Sequence, residues 1–230
     1  NYALRLNSTS NENVAVGFAS LENNTVIGNT AVGSTALRNN TTGACNTAIG
    51  SKALGSNTTG ALNVGIGKST LYATTTGGYN TALGSCALKT NITGTQNISV
   101  GYLSLATNTA GNYNVAVGTC ALKVSTASGN TAIGSTALLA NTTGSGGVAI
   151  GLNALYTNTT GACNTAVGVS TLYTNTTGER NVAMGHGALY KNTTATCNVA
   201  IGTTALYNNT TGNSNTAVGA NVMNSNTIGR

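Results

Sequence analysis

Small residues alternate with larger aliphatic ones in a short phrase that returns along the chain. Asn-Thr-Ala-Val-Gly stands at 29–33 and again at 164–168 and 215–219. Variants keep the alternation: NTAIG at 46–50, NTALG at 80–84, NVAVG at 114–118 and NVAIG at 198–202. The opening Asn falls at Asn13, Asn29, Asn46, Asn63, Asn80, Asn97, Asn114 and Asn130. Gly147 takes its place once, and Asn164, Asn181, Asn198 and Asn215 follow. The steps are 17 residues, with two of 16. Aligned, the segments read N-[TV]-A-[VIL]-G-x-x-A-L-x-x-N-T-T-G-x-x, and a fixed period of this length marks a repeat architecture.

Each column carries a structural expectation. Val32, Ile49, Ile66, Leu83, Val100, Val117, Ile133, Ile150, Val167, Met184, Ile201 and Val218 form one apolar column. The residues two earlier, such as Thr30, Val64, Val115 and Val199, point the same way on a strand of period two. This set is expected to fill the core. The small residues between, including Ala31, Ala48, Ala116, Ala166, Ala183 and Ala217, would then face outward. They would form either a flat face for a neighbouring chain or merely a narrow solvent face. A second apolar column, from Leu37 and Leu54 to Leu206 and Met223, predicts a second short strand. Neither patch is long enough for an amphipathic helix, and each is bounded by Gly.

The remaining columns read as corners. Gly33, Gly50, Gly84 and Gly118 after the strand suit positive φ, as do Gly43, Gly60, Gly94, Gly161 and Gly178 closing N-T-T-G. Asn40, Asn57, Asn91, Asn141, Asn158, Asn175, Asn192 and Asn209 predict a turn ladder, each amide bonded to its copies one coil away. The chain has no Pro, as expected where every coil's backbone pairs with two neighbours. One such unit cannot bury its own apolar face, whereas stacked units can. The expectation is an all-β fold, a parallel β-solenoid with two short strands per coil. About 12 to 13 coils at ~4.8 Å would give a rod roughly 60 Å long. Residues 1–12 read as a leading segment and 13–230 as a single repeat domain.

The N-[TV]-A-[VIL]-G strand resembles the repeat in head domains of trimeric autotransporter adhesins. The longer unit with A-L-x-x-N-T-T-G is similar to repeats of phage tail-fibre and bacterial surface proteins. The likeness spans residues 13 to 230. It implies a left-handed β-roll, a homotrimer, and display on a virion or cell surface.

Composition removes several chemistries. Charged residues are 5% of the chain, against about a quarter in typical domains. There is no Asp, which excludes the Asp-rich turns of calcium-binding β-rolls and a Ser-His-Asp triad. His186 is the sole His, and Glu12, Glu22 and Glu179 are the sole acids, so a non-enzymatic role without cofactor or metal is expected. The formal charge of +6 is spread over Arg5, Arg38, Lys52, Lys68, Lys89, Lys123, Arg180, Lys191 and Arg230, not gathered into a nucleic-acid stripe. No apolar run approaches the roughly 18 residues that cross a bilayer. Lacking an initiator Met and ending inside a repeat, the chain is expected to be an internal piece of a longer protein.

Five Cys remain. Cys45, Cys163 and Cys197 share one column, and Cys86 and Cys120 another. Partners two coils apart, about 9.6 Å by strand spacing, exceed the roughly 7 Å a disulfide allows. They are expected to be small apolar fillers, favouring assembly in a reducing compartment, with interchain bridges left open.

Two columns are candidates for recognition. Tyr156, Tyr173, Tyr190 and Tyr207 recur in four successive coils, with Tyr72 earlier. They could stack on the sugar rings of a host glycan or meet a protein receptor, or simply pack between coils. Thr41, Thr58, Thr75, Thr109, Thr142, Thr159, Thr176, Thr193 and Thr210 form a hydroxyl ladder. With the Asn ladder it opens the alternative of an ice-binding solenoid. The Asn-x-Ser/Thr sequons coincide with the turn Asn column, so a structural role is expected there over glycosylation.

Overall fold

The computed structural model describes residues 2–7 and 10–229; Arg230 of the basic set lies outside the described residues. Two compact units divide the chain, Asn1–Asn114 and Val115–Arg230. In the first, β1 (Val14–Val16), β2 (Thr30–Val32), β3 (Thr47–Ile49), β4 (Val64–Ile66), β5 (Thr81–Leu83) and β6 (Ile98–Val100) pair in parallel in chain order. In the second, β7 (Val115–Val117), β8 (Thr131–Ile133), β9 (Val148–Ile150), β10 (Thr165–Val167), β11 (Val182–Met184), β12 (Val199–Ile201) and β13 (Thr216–Val218) do the same. The register places like on like, Ala31 beside Ala48 and Ala166 beside Ala183. Each unit is therefore a parallel β-solenoid with one turn per repeat.

Only one strand per coil forms, not two. The Ala-Leu stretch is a pair of consecutive turns: Ala36 N–H donates to Gly33 O at 3.3 Å, and Asn40 N–H to Leu37 O at 3.2 Å. The leucines from Leu21 to Leu206 hold φ between +47° and +52°. An L-residue there pays roughly 1–2 kcal/mol. Full burial of a leucine side chain returns roughly 1.5–3 kcal/mol, and these leucines are wholly buried. Core filling thus outweighs backbone strain at a position where Gly would be cheaper locally.

The strand faces are the reverse of the sequence expectation. Ala31, Ala48, Ala82, Ala116, Ala166, Ala183 and Ala217 point inward and are buried, whereas Ile49, Ile66, Leu83, Ile133, Ile150, Met184, Ile201 and Val218 are exposed. The reason is width. The leucine ladder reaches across the coil to the middle of the strand, where a Cβ on Gly65 would stand 3.5 Å from Leu54 Cδ1 and 3.6 Å from Leu71 Cδ1. That leaves room for a small side chain only: Ala in most coils, and once Ser99, whose hydroxyl bonds Ser104 O at 2.9 Å. The strand does alternate between two faces, but side-chain size selects the opposite face for the core.

Two asparagine ladders close the coil. In the turn column Asn57 Nδ2 donates to Asn40 Oδ1 at 2.7 Å, and Asn175 Nδ2 to Asn158 Oδ1 at 2.7 Å. In the strand-opening column Asn46 N–H donates to Asn29 Oδ1 at 2.9 Å, while its Nδ2 reaches Gly60 O at 2.9 Å. All are buried. The two glycine corners have different causes. Gly33 and its counterparts hold φ near +130°, as expected for a positive-φ corner. Gly60 and Gly161 do not have positive φ; there a Cβ would lie 2.3 Å from the carbonyl oxygen of Gly77 or Gly178, so a side chain would force the neighbouring coil to shift.

The leading segment joins this scheme. Leu4 N–H donates to Ser20 O and Leu6 N–H to Glu22 O, both at 3.1 Å, with Leu4 at φ +52°. Residues 3–7 spell A-L-x-x-N, the same corner that ends in a turn Asn in most later coils.

Candidate binding surfaces

The outward strand face is built from the first and third strand residues. Thr30, Thr47, Thr81, Thr131, Thr165 and Thr216 alternate with Val or Ile in its first column, and its third column is Val, Ile, Leu or Met throughout. Neither column holds a charge in either unit. In the second unit Leu152 and Val169, two residues beyond their strands, are exposed and extend the apolar face. His186 occupies the next place in that same flanking column and is exposed.

Tyr156, Tyr173, Tyr190 and Tyr207 are brought together as the sequence suggests. Their ring centroids stand 5.0–5.1 Å apart with interplanar angles of 2–9°. In-register coils impose that rung, and offset stacking at this distance contributes roughly 0.5–1.5 kcal/mol per pair. The faces of these half-buried rings therefore cover one another. A sugar stacking on the interior rings would have to displace a tyrosine, so what this column presents outward is edges and hydroxyls. Lys191 Nζ lies 5.9 Å from the Tyr207 ring centre.

Tyr72 belongs to the same column but has no stack. Going down the first unit, this column reads Arg5, Glu22, Arg38, Gly55, Tyr72, Lys89 and Ala106. Glu22 is buried between two guanidinium groups: Arg38 Nε reaches its Oε2 at 2.8 Å and Arg5 Nη2 its Oε1 at 3.2 Å. Below Arg38 the ladder is interrupted at Gly55, and a cavity of about 160 Å³ opens, lined by Thr35, Arg38, Asn39, Lys52, Gly55 and Tyr72.

The threonine column serves the fold. Thr41 Oγ1 donates to Thr58 O at 3.0 Å, Thr58 to Thr75 O at 3.0 Å, Thr142 to Thr159 O at 3.0 Å and Thr176 to Thr193 O at 3.1 Å. Thr75, Thr159, Thr193 and Thr210 repeat the bond, and Thr109 O receives one edge of it through the Ile92 and Thr93 amides. The sequon asparagines Asn40, Asn57, Asn91, Asn141, Asn158, Asn175, Asn192 and Asn209 are buried with their amides turned inward, so the folded coil offers none of them to a glycan.

All five Cys are free thiols. Cys45, Cys163 and Cys197 are exposed, and Cys86 and Cys120 are half-buried, so none is the buried filler the sequence suggested. Each sits at a corner with φ 57–59°, and these corners, unlike the leucine corners at φ near +50°, lie on the outer side of the coil. Among the described residues no three His, Cys, Asp or Glu side chains gather in a metal-binding group, and no helix is long and apolar enough to cross a membrane. The chain matches no protein-family model, no curated protein and no solved structure.

Proposed function

We propose that this chain is a segment of a structural, adhesive fibre, a rigid repetitive solenoid that self-associates as a homotrimer and is displayed on a virion or cell surface for attachment. The observation that carries the reading is the outward strand face. It is an uncharged Thr/Val and Val/Ile lattice repeated in every coil of both units, with Ile49, Ile150, Met184 and Val218 exposed. A monomeric soluble protein rarely leaves a contiguous apolar patch beyond a few hundred Å² uncovered. A periodic face is best covered by one of matching period, which a second and third copy supply. The adhesin-head resemblance supports the trimer and a left-handed coil, but the contact moves from the alanines to the Val/Ile columns. The role is mechanical. Main-chain bonds between coils and a seamless Ala-Leu-Asn interior resist local opening, while variable corner columns present groups to a glycan or protein receptor. The chain in this reading needs no cofactor and contacts neither nucleic acid nor the bilayer interior.

The mass in solution tests it. Light scattering of the purified chain is expected to give three times the 22.7 kDa of the protomer. A monomer at micromolar concentration would remove the trimer and leave the face unexplained.

One observation favours the ice-binding alternative in altered form. The corner threonines donate to the next coil, but Thr30, Thr47, Thr81, Thr131, Thr165 and Thr216 stand on the outward face, each one place from a Val, Ile or Leu across a buried Ala. A monomer with thermal hysteresis would select this reading, because a face buried in a trimer cannot order water.

A further inference from the structure

The column in which the second unit stacks four tyrosines is missing one rung in the first. Arg38 and Tyr72 stand two coils apart, and the residue between them is Gly55. No backbone requirement accounts for that glycine. Its φ is not in the left-handed region, and the equivalent positions carry Arg38, Tyr72, Lys89, Leu139 and Tyr156. A Cβ on Gly55 would meet the Tyr72 ring, at 3.2 Å from Cε2, so the ring leans into the space a side chain would have taken. The notch that results has a volume of about 160 Å³ and opens to solvent, so a ring entering it would be covered on one side only.

Its lining differs from an apolar hole. Lys52 is exposed, has no ion-pair partner among the described residues, and is the sole cation in its column, where other coils place Thr35, Ser69 or Ser170. Arg38 spends Nε on Glu22 and keeps its other guanidinium nitrogens free of any ion pair to that carboxylate. Asn39 adds an exposed amide, and Thr35 a hydroxyl that donates to Ser34 O and still accepts. Glu22 is already shared by Arg5 and Arg38, which leaves the mouth of the notch positive.

We propose that the Gly55 notch binds an acidic pyranose, its ring seated against Tyr72 in the missing rung and its carboxylate or sulfate held by Lys52 and Arg38. An apolar aromatic guest would leave both cations without an anion, and a bare anion would leave the tyrosine face uncovered; a sugar ring bearing a negative group satisfies both. The inference rests on the adhesive reading, to which it gives a ligand class and a place.

Titration calorimetry and saturation-transfer NMR on the full chain test it, with methyl glucuronide and galactose 6-sulfate as probes, methyl galactoside as neutral control, and sodium sulfate as free anion. The acidic sugars are expected to bind at least about tenfold more tightly than the neutral one. Gly55→Tyr fills the rung with the residue the column accepts at Tyr156, Tyr173, Tyr190 and Tyr207, and Lys52→Ser installs the residue at Ser69 and Ser170. Both variants are expected to keep the parent's circular dichroism and melting curve and to lose binding by about tenfold or more. Sulfate alone binding as well as the sugars would overturn recognition of the ring. Sugar binding that survives Gly55→Tyr would overturn the location. A trimeric chain that ignores every acidic sugar would overturn the notch and leave the fibre reading intact; a monomer that binds them through Lys52 would do the reverse.

Discussion

At the scale of single residues, the ladders show where the repeat is imperfect. Thr74 and Ser125 stand where the turn column otherwise has Asn. Ser125 Oγ still accepts from Asn141 Nδ2 at 3.2 Å, but the break at Thr74 leaves two buried atoms without a partner, Asn57 Oδ1 above it and Thr74 Oγ1 itself. Restoring the amide by Thr74→Asn would supply a donor to Asn57 and a carbonyl oxygen to the Asn91 amide. A gain of about 1 kcal/mol is expected, read as a higher urea midpoint at unchanged slope. The opposite change, Asn175→Ala, strands the neighbouring amides of Asn158 and Asn192 and is expected to cost about 1–3 kcal/mol. The ladder was legible from the column of Asn alone, because a polar residue recurring at one corner of a stack has its own copies as partners. The glycine that closes N-T-T-G was legible as special but not in its cause. A carbonyl 2.3 Å from an imagined Cβ is a property of two coils together, and no single coil contains it.

At the scale of the element, the three-residue strand decides which side chains the interior accepts. Ala166 is buried against the leucine ladder, and Thr165 and Val167 flank it on the outer face. Ala166→Val is expected to overpack the coil and cost about 1–3 kcal/mol. Thr165→Val places a residue the outer column already uses at Val148 and Val182, and is expected to stay within about 0.5 kcal/mol. Paired thermal melts of the two variants measure this, and equal effects would contradict the assignment of faces. The leucine corner argues the same way from the other wall. Leu155→Ala removes a wholly buried side chain and is expected to cost about 2–5 kcal/mol, although alanine eases neither its φ of +52° nor the turn. Sequence alternation identified a strand here and two faces. It could not say that the lumen admits only small side chains, since that depth is set by leucines eight residues from the strand's opening Asn.

At the scale of the whole molecule, the outward columns determine association. Ile150→Lys combined with Val167→Lys puts two charges on the proposed contact without touching the interior. The variant is expected to keep the parent's circular dichroism while light scattering falls to the 22.7 kDa protomer. An unchanged trimer mass would place the contact elsewhere on the surface. The period, the parallel stacking, the asparagine ladder and the tyrosine column were all determined by the sequence alone, because each is a repeat in one dimension that stacking turns into a neighbour relation. The tertiary structure decided the rest: the inversion of the strand faces, the single strand per coil, the outward thiols, and the notch at Gly55. Those depend on how wide the coil is, on which side of it a corner residue stands, and on what a missing side chain leaves between two coils. These are distances across the fold, and no spacing along the chain encodes them.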